Sequence, residues 1–237
     1  MLKFDNLTKI YQGNKAAVQN LSLEVEAGDI YGFIGHNGAG KTTAIKCAVG
    51  LTDITSGDVT IDGVSITRDP LACKKLFAYI PDNPDIYEYL TGIQYLNFLA
   101  DVYKIDKAER EKNIYALTDI FGITNALGSL ISSYSHGMKQ KLVITGAVFR
   151  KPKLLILDEP FVGLDPQAIV SLKQIMKDLC NSGSAIFFST HVLDVAERLC
   201  NKVAIIKQGK LVAAGETEKL TDGRSLEETF MEVVKND

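Results

Sequence analysis

Residues Gly35–Thr43 read GHNGAGKTT and match the phosphate-binding pattern G-x-x-x-x-G-K-[ST]. The apolar stretch Ile30–Ile34 comes directly before this run and predicts a strand, and Thr43–Val49 predicts a helix after it. Glycines let consecutive backbone N–H groups approach phosphate oxygens, and the start of a helix adds the positive end of its dipole. This stretch therefore predicts a strand–loop–helix unit that binds the phosphates of a nucleotide.

Two side chains of the loop have specific expected roles. Lys41 is expected to reach the β- and γ-phosphates of the bound nucleotide, and the Thr42 hydroxyl is expected to ligate Mg²⁺. The other loop residues expected to line the nucleotide are Gly35, Asn37, Gly38, Ala39, Gly40 and Thr43. The alternative, a glycine-rich turn that fits the pattern by chance, leaves the flanking strand and helix unexplained.

Composition limits the classes of function. The 237 residues are 46% hydrophobic with a formal net charge of −3, which allows a well-buried core but gives no broad positive field for nucleic acid. No apolar run approaches the roughly 18 residues of a membrane-spanning helix, and the first residues lack the apolar core of a signal peptide. The 4 cysteines are widely spaced and predict free thiols. We expect a cytoplasmic protein that binds no nucleic acid and needs a partner for any membrane role.

Periodicity predicts a mixed α/β chain with a mainly helical segment from about residue 84 to about residue 150. Strands are predicted over 1–4, 21–25, 30–34, 58–61, 64–67, 154–157, 185–189, 203–206 and 210–213. Helices are predicted over 43–49, 91–102, 107–121, 138–149, 168–179, 191–199 and 226–234. Strands that alternate with helices around a phosphate-binding loop predict a doubly wound α/β core.

Two acids end the apolar strand predicted over Leu154–Leu157. Asp158 is placed to hold the shell of a Mg²⁺ ion, as phosphoryl-transfer sites require. Glu159 is expected to point differently from Asp158, because side chains alternate along a strand, and to act as the general base for an attacking water. An exposed acidic strand end is the simpler alternative, but it does not explain the buried apolar run before it.

With these residues the chain resembles the ATPase subunits of ATP-binding cassette (ABC) transporters. Its segment Tyr134–Lys141, YSHGMKQK, is similar to the family signature, which usually begins Leu-Ser-Gly-Gly-Gln. His136 and Met138 depart from that signature, whereas Ser135 and Gly137 keep the hydroxyl and the backbone N–H that it presents. The resemblance implies a RecA-like P-loop NTPase fold, with an N-terminal antiparallel β subdomain and an α-helical subdomain that carries the signature.

The resemblance also implies a domain plan and a set of partners. The ABC ATPase domain would span 1–220, with the helical subdomain of about 84–150 inserted in it, and 221–237 would form a short helical tail. Ser135 and Gly137 would contact the γ-phosphate of ATP bound by a second ABC ATPase subunit, arranged head to tail. The simplest such pair is a homodimer, although pairing with a related chain stays open. Integral membrane subunits would hold the dimer at the inner face of the cell membrane.

Four further site residues are assigned through the resemblance. Asp165 in Gly-Leu-Asp-Pro is similar to a family loop that crosses the dimer interface, and His191 to the histidine that contacts the γ-phosphate. Tyr11 matches the aromatic that stacks on adenine, although a core or surface tyrosine is an ordinary alternative. Asp82 stands where the family usually has glutamine, and we expect it to approach the Mg²⁺ through water.

The implied function is ATP hydrolysis that drives dimer closure and moves a substrate through the membrane subunits. Export is favoured because Met138–Lys141, at the end of the signature, and the tail segment Ser225–Phe230 are similar to those of exporter subunits. Tyr87 and Tyr89 are candidates for contact with the membrane subunit, although packing within the helical segment is an alternative. A non-transport ABC ATPase that acts on a macromolecule and a catalytically silent nucleotide-binding module are the rival functions. Contacts with the transported substrate would belong to the membrane subunits.

Overall fold

The computed structural model of the chain describes residues 1–13, 15–83 and 85–235. Within these ranges the strands are β1 (Leu2–Ile10), β2 (Ala16–Val25), β3 (Ile30–Ile34), β4 (Ser56–Ile61), β5 (Val64–Ser65), β6 (Phe77–Ile80), β7 (Leu154–Asp158), β8 (Ala185–Thr190), β9 (Lys202–Lys207) and β10 (Lys210–Glu216). The α-helices there are α1 (Lys41–Ala48), α2 (Pro70–Lys74), α3 (Gly92–Val102), α4 (Lys107–Ile120), α5 (His136–Val148), α6 (Pro166–Asn181), α7 (Leu193–Leu199), α8 (Thr217–Thr221) and α9 (Leu226–Lys235). Two single-turn 3₁₀ helices, Thr124–Ala126 and Ile131–Ser133, precede α5.

A six-stranded sheet with the order β10-β9-β3-β8-β7-β6 forms the centre of the fold. β3 pairs in parallel with β8 and β9, β7 pairs in parallel with β6 and β8, and β10 is antiparallel to β9. Every residue of β3, β7 and β8 is buried, because apolar clusters cover both faces of the sheet. The carboxyl ends of these three strands therefore meet at one edge, and the loops that follow them share that edge.

A second sheet, antiparallel and with the order β2-β1-β4-β5, covers one side of the first. Its β4–β5 hairpin turns at Asp62 and Gly63, whose positive φ values of 52° and 80° are those of a two-residue Asp-Gly turn. The ring of Phe4 on β1 lies 5.7 Å from the ring of Phe187 on β8. The two sheets are thus joined through a shared core, and the predicted N-terminal antiparallel β subdomain is confirmed.

The chain between β6 and β7 is mainly helical, as predicted. α3 begins with a capping box in which Thr91 and Gln94 satisfy each other's backbone N–H groups. α4 ends before Gly122, whose φ of 67° is the left-handed conformation expected at a helix stop. Tyr134 donates its hydroxyl proton to the Ala126 carbonyl over 2.6 Å and fixes the approach to α5. The boundaries 1–220, 84–150 and 221–237 remain predictions.

Several boundaries differ from the predictions. α1 begins at Lys41 rather than residue 43, and α5 begins at His136 rather than residue 138, because Gly40 and Ser135 are the actual N-caps. α7 begins at Leu193, so His191 lies in the loop before it and not in the helix. Two short helices and one strand were not predicted: α2, α8 and β6. β1 and β2 are also longer than predicted, because the two strands pair with each other from Leu2 and Val25 to Ile10 and Ala16.

Two properties expected from composition can be compared with the structure. In the described ranges, no helix combines the length and the apolar character that crossing a bilayer requires. All four cysteines are free and buried, as expected for thiols without partners. Burial raises the pKa of the Cys47 thiol to about 11, so the thiol next to the phosphate-binding loop stays protonated near neutral pH.

Candidate nucleotide-binding site

A cavity of about 880 Å³ opens at the carboxyl edge of the six-stranded sheet. The predicted site residues that line it are Tyr11, Asn37, Gly38, Gly40, Lys41, Thr42, Thr43, Asp82 and Glu159. Six lining residues were not predicted: Lys15, Ala16, Ala17, Gln19, His36 and Gln208. The phosphate-binding loop, the antiparallel sheet and the segment after β6 therefore converge on one space.

The phosphate-binding loop is packed too closely for side chains at two of its glycines. A Cβ at Gly35 would lie 2.6 Å from the Ile206 carbonyl oxygen, and Gly35 and Ala39 lie behind the cavity surface. Gly40 has a φ of 109°, and its Cβ would meet the Ala17 carbonyl oxygen. Glycine is therefore required at both ends of the loop by space and, at Gly40, also by backbone conformation.

Lys41 is anchored at the inner end of the cavity. Its ammonium donates to the carbonyl oxygens of Gly35 at 2.6 Å and His36 at 3.3 Å. It also lies 3.3 Å from Glu159 Oε1, and both side chains are largely buried. A fixed cation at this depth attracts anionic phosphate groups, because charges interact more strongly where solvent is excluded.

The two acids at the end of β7 are organised by Ser189 at the end of the neighbouring β8. Asp158 and Ser189 are paired in the parallel register, so their side chains leave the sheet side by side. Ser189 Oγ donates to Asp158 Oδ1 over 2.5 Å and accepts a hydrogen bond from the Glu159 backbone N–H at 3.0 Å. Both Asp158 and Ser189 are buried, so one hydroxyl fixes the geometry of both acids.

Glu159 reaches the cavity for a different reason than predicted. Alternation along the strand was the expected reason, but β7 ends at Asp158 and Glu159 has a left-handed φ of 48°. This backbone turn, which is uncommon for a residue with a Cβ, re-aims the carboxylate. Glu159 Oε2 lies 3.0 Å from His191 Nδ1, so Lys41 and His191 hold the two carboxylate oxygens from either side.

The donor set fits a divalent cation bound together with phosphate. Asp158 Oδ2 is buried and has no hydrogen-bond partner among the described residues, whereas the buried Glu159 Oε1 lies 3.3 Å from the Lys41 ammonium. A buried carboxylate oxygen such as Asp158 Oδ2 costs free energy unless an ion or ligand group meets it. Thr42 and Asp82 supply further oxygens at the cavity surface. No three acidic, histidine or cysteine side chains of the described chain form a complete metal site, and Mg²⁺ in nucleotide sites takes its other ligands from phosphate and water.

Asp82 adds a third acid to this region. Loss of solvation in the cavity raises its pKa above the ordinary aspartate value, and the nearby negative charges of Asp158 and Glu159 raise it further, while His136 and His191 oppose the shift. Asp82 is nevertheless an exposed residue, so water weakens each of these effects. The approach of Asp82 to Mg²⁺ remains a prediction.

Tyr11 stands at the outer rim of the cavity. It is 45% exposed, and Lys9 Nζ lies 5.0 Å above its ring centroid. A core tyrosine, one of the alternatives, is excluded by this exposure. Lys15, Gln19 and Gln208 share the rim and had no sequence motif that marked them. An exposed ring beside the cavity fits the predicted stacking on adenine.

The signature residues lie outside this cavity. Ser135 is the N-cap of α5, where its hydroxyl accepts from the Met138 N–H at 3.3 Å, and a Cβ at Gly137 would lie 2.9 Å from the Gly163 carbonyl oxygen. Asp165 caps α6 and lies 2.6 Å from Lys141 Nζ. The bond from Lys141 lowers the pKa of the Asp165 carboxyl, and the Ala168 N–H lowers it further. Ser135, Gly137 and Asp165 therefore form a separate surface.

Comparison with known proteins places this geometry in a family. The family model described as ABC transporter matches residues 18–162. The chain is 35% identical to the ABC-type transporter ATP-binding protein EcsA of Bacillus subtilis, covering 100% of this chain and 98% of that protein. It is 33% identical to the linearmycin resistance ATP-binding protein LnrL of Bacillus subtilis, covering 91% and 69% respectively.

A solved structure supports the same assignment. The ATP binding subunit of an ABC transporter superposes with a TM-score of 0.94, at 35% identity and with 99% of each chain covered. The mixed α/β P-loop NTPase fold predicted from the sequence is confirmed by this match and by the sheet order. With the phosphate-binding loop and Glu159 in one cavity and a match along the whole chain, the protein belongs to the ABC transporter ATP-binding family.

Proposed function

We propose that this chain binds and hydrolyses ATP to drive a membrane transporter. The observation that carries the proposal is the convergence of Lys41, Asp82 and Glu159 on one cavity that contains the phosphate-binding loop. Membership in the ABC family supports ATP as the nucleotide and hydrolysis as the reaction. A catalytically silent module is disfavoured because Glu159 contacts both Lys41 and His191.

The chain's own residues suit the hydrolytic step. Glu159, held by Lys41 and His191, accepts a proton from the attacking water. The water oxygen forms a bond to the γ-phosphorus while the bond between the γ-phosphorus and the β–γ bridging oxygen breaks. ADP is the leaving group, and inorganic phosphate is the second product. Bound Mg²⁺, held by Asp158, Thr42 and water near Asp82, would neutralise charge on the phosphate oxygens. Tyr11 would support the adenine ring.

The working form is a head-to-tail pair of subunits. Ser135, Gly137 and Asp165 do not line the cavity of their own chain, which supports their contact with ATP on a second subunit. Two identical chains satisfy this geometry, because a two-fold axis presents each signature to the other cavity. ATP would thereby stabilise the closed pair, and hydrolysis would release it.

Membrane subunits are the proposed partners. Tyr87 and Tyr89 are exposed, and Tyr87 lies 5.9 Å from Tyr89 and 6.0 Å from Phe98 between ring centroids. This aromatic group follows Asp82 along the chain, so a change of nucleotide in the cavity could be transmitted through it to the membrane subunit. We place the protein in the cytoplasm, at the inner face of the cell membrane. Export is the proposed direction, and the name of LnrL as a resistance protein is consistent with it.

The first test is phosphate release by the purified protein with Mg²⁺ and ATP. Wild-type protein is expected to hydrolyse ATP, and Glu159→Gln is expected to lose about 10²–10⁴-fold in rate, the usual contribution of a general base. Glu159→Gln should keep its affinity for a fluorescent ATP analogue, whereas Lys41→Ala should lose affinity. Equal hydrolysis rates in wild-type and Glu159→Gln protein would overturn the role of Glu159.

A further inference from the structure

The C-terminal helix α9 packs against the elements that carry the nucleotide site. Its buried face consists of Leu226, Thr229 and Phe230, which are at most 3% exposed. The opposite face includes Met231, which is 45% exposed. The helix is thus fixed on the body of the protein by one apolar face, as amphipathic surface helices generally are.

Two polar contacts fasten the ends of α9. The Leu226 N–H at its start donates to Glu197 Oε2 over 3.0 Å, and Glu197 belongs to α7, the helix that follows His191. Lys207 Nζ donates to the Val234 carbonyl near the end of α9 over 2.7 Å, and Lys207 precedes Gln208 at the cavity rim. Glu197 and Lys207, the two residues that bind α9, therefore belong to segments that also carry His191 and Gln208.

A third contact reaches the phosphate-binding loop itself. The Phe230 ring meets the His36 ring with centroids 5.0 Å apart and an interplanar angle of 75°, the edge-to-face arrangement that aromatic pairs favour. His36 is exposed and lines the cavity, whereas Phe230 is 3% exposed, so the histidine ring covers the phenylalanine. The helix thus touches the loop through one ring pair.

His36 also holds the loop through its backbone. Its carbonyl oxygen accepts from the Ala39 N–H at 3.1 Å and from Lys41 Nζ at 3.3 Å. Rotation or displacement of His36 would therefore disturb the turn of the loop and one anchor of Lys41. The Phe230 ring restrains this displacement through its contact with the His36 ring.

We propose that Phe230 is a positioning residue for ATP binding, which acts by holding His36 and so preserving the nucleotide-ready shape of the phosphate-binding loop. The C-terminal helix is on this account a working part of the nucleotide site rather than a separate tail. The inference deepens the proposed function and rests on it, because it assumes that the cavity binds ATP. It also gives His36 a use that the phosphate-binding pattern does not require.

The test is a double-mutant cycle on the full chain with His36→Ala and Phe230→Leu. Leucine keeps the apolar contact with the body and removes the ring. Each single variant is expected to raise the Kd for a fluorescent ATP analogue by about two- to tenfold, the range of an aromatic pair. The double variant should be no weaker than the weaker single variant, because the two changes remove one contact. KM for ATP should rise by the same factor while kcat changes little.

Two controls separate positioning from general stability. His36→Phe restores an aromatic pair and should bind ATP within about twofold of wild type. Met231→Ala changes the exposed face of the same helix and should leave Kd and the melting temperature unchanged. If Phe230→Leu fails to fold, the comparison of His36→Ala with His36→Phe still tests the ring contact.

Several results would overturn the inference. Unchanged Kd in both single variants, even with a lower melting temperature, would reduce the contact to a structural one. Additive effects in the double variant would mean that the two residues act independently. A wild-type protein that binds no ATP would instead refute the proposed function, and the inference with it. The wild-type titration therefore distinguishes the two failures.

Discussion

Ser189→Ala removes the hydroxyl that links the two acids, and we expect it to lower both the stability of the fold and the rate of hydrolysis. The hydroxyl makes a 2.5 Å bond to the Asp158 carboxylate and accepts a 3.0 Å bond from the Glu159 N–H, and the residue is 0% exposed. A bond to a charged group contributes about 1.5–3 kcal/mol and a neutral one about 1 kcal/mol, so folding should lose about 2–4 kcal/mol. Displacement of both acids should lower kcat by at least about tenfold.

Ser184→Ala is the matched control, because it lies just before the same strand and also loses a buried hydroxyl. Ser184 donates to the Pro152 carbonyl over 2.8 Å, far along the strand from the acids. The control should lose about 1 kcal/mol of unfolding free energy and keep its kcat. Urea titrations and steady-state phosphate release measure the two effects. If Ser189→Ala matched Ser184→Ala in both stability and kcat, the coupling of the acids through Ser189 would be wrong.

Four further predictions concern the signature turn, the cavity rim and, in two variants, the third acid. Gly137→Ala should lower the free energy of unfolding by about 1–3 kcal/mol, because the new Cβ would lie 2.9 Å from the Gly163 carbonyl oxygen. Gly128→Ala is the control and should lower it far less, because nothing lies within 4 Å of its Cβ. Chemical denaturation of the two variants measures the difference. Tyr11→Ala should weaken ATP binding by about 1–3 kcal/mol, whereas Tyr11→Phe, which keeps the ring, should not. An equilibrium titration with ATP measures both affinities. Equal losses of affinity in the two variants would exclude stacking. The pKa of Asp82 is raised in the folded chain, so its negative charge destabilises the fold at pH values above that pKa. Asp82→Asn should therefore raise the melting temperature at pH 7. Below about pH 4, where the aspartate is protonated in both states, the substitution should give little gain. Asp82→Gln should keep ATP binding and alter the Mg²⁺ dependence of hydrolysis, and an unchanged Mg²⁺ titration would argue against a role near the metal.

Much of the fold was predictable because its signals are local. The Asp-Gly hairpin, the buried runs of β7 and β8, and the helix stop at Gly122 are each encoded within a few residues. β6 was missed because its four residues, Phe77–Ile80, are too few for a periodic pattern and gain their strand structure from pairing with β7. Tertiary pairing, rather than local propensity, decides such short elements.

The site was predictable where a motif fixes it and not where distant segments meet. Lys41 and Glu159 follow from their motifs, and the structure brings them to 3.3 Å. Ser189 could have been found, since parallel strands predicted to end at one edge place it beside Asp158. The contact of His36 with Phe230 joins residues near opposite ends of the chain, and no local pattern signals it.

The central claim is that ATP closes two copies of this chain against each other. The most direct measurement is the solution mass of Glu159→Gln, with and without Mg²⁺ and ATP, and with a Glu159→Gln/Lys41→Ala double variant as the control. We expect a monomer of 25.9 kDa that becomes a dimer only when ATP is present and Lys41 is intact. A Glu159→Gln protein that is saturated with ATP and remains at the monomer mass would contradict it.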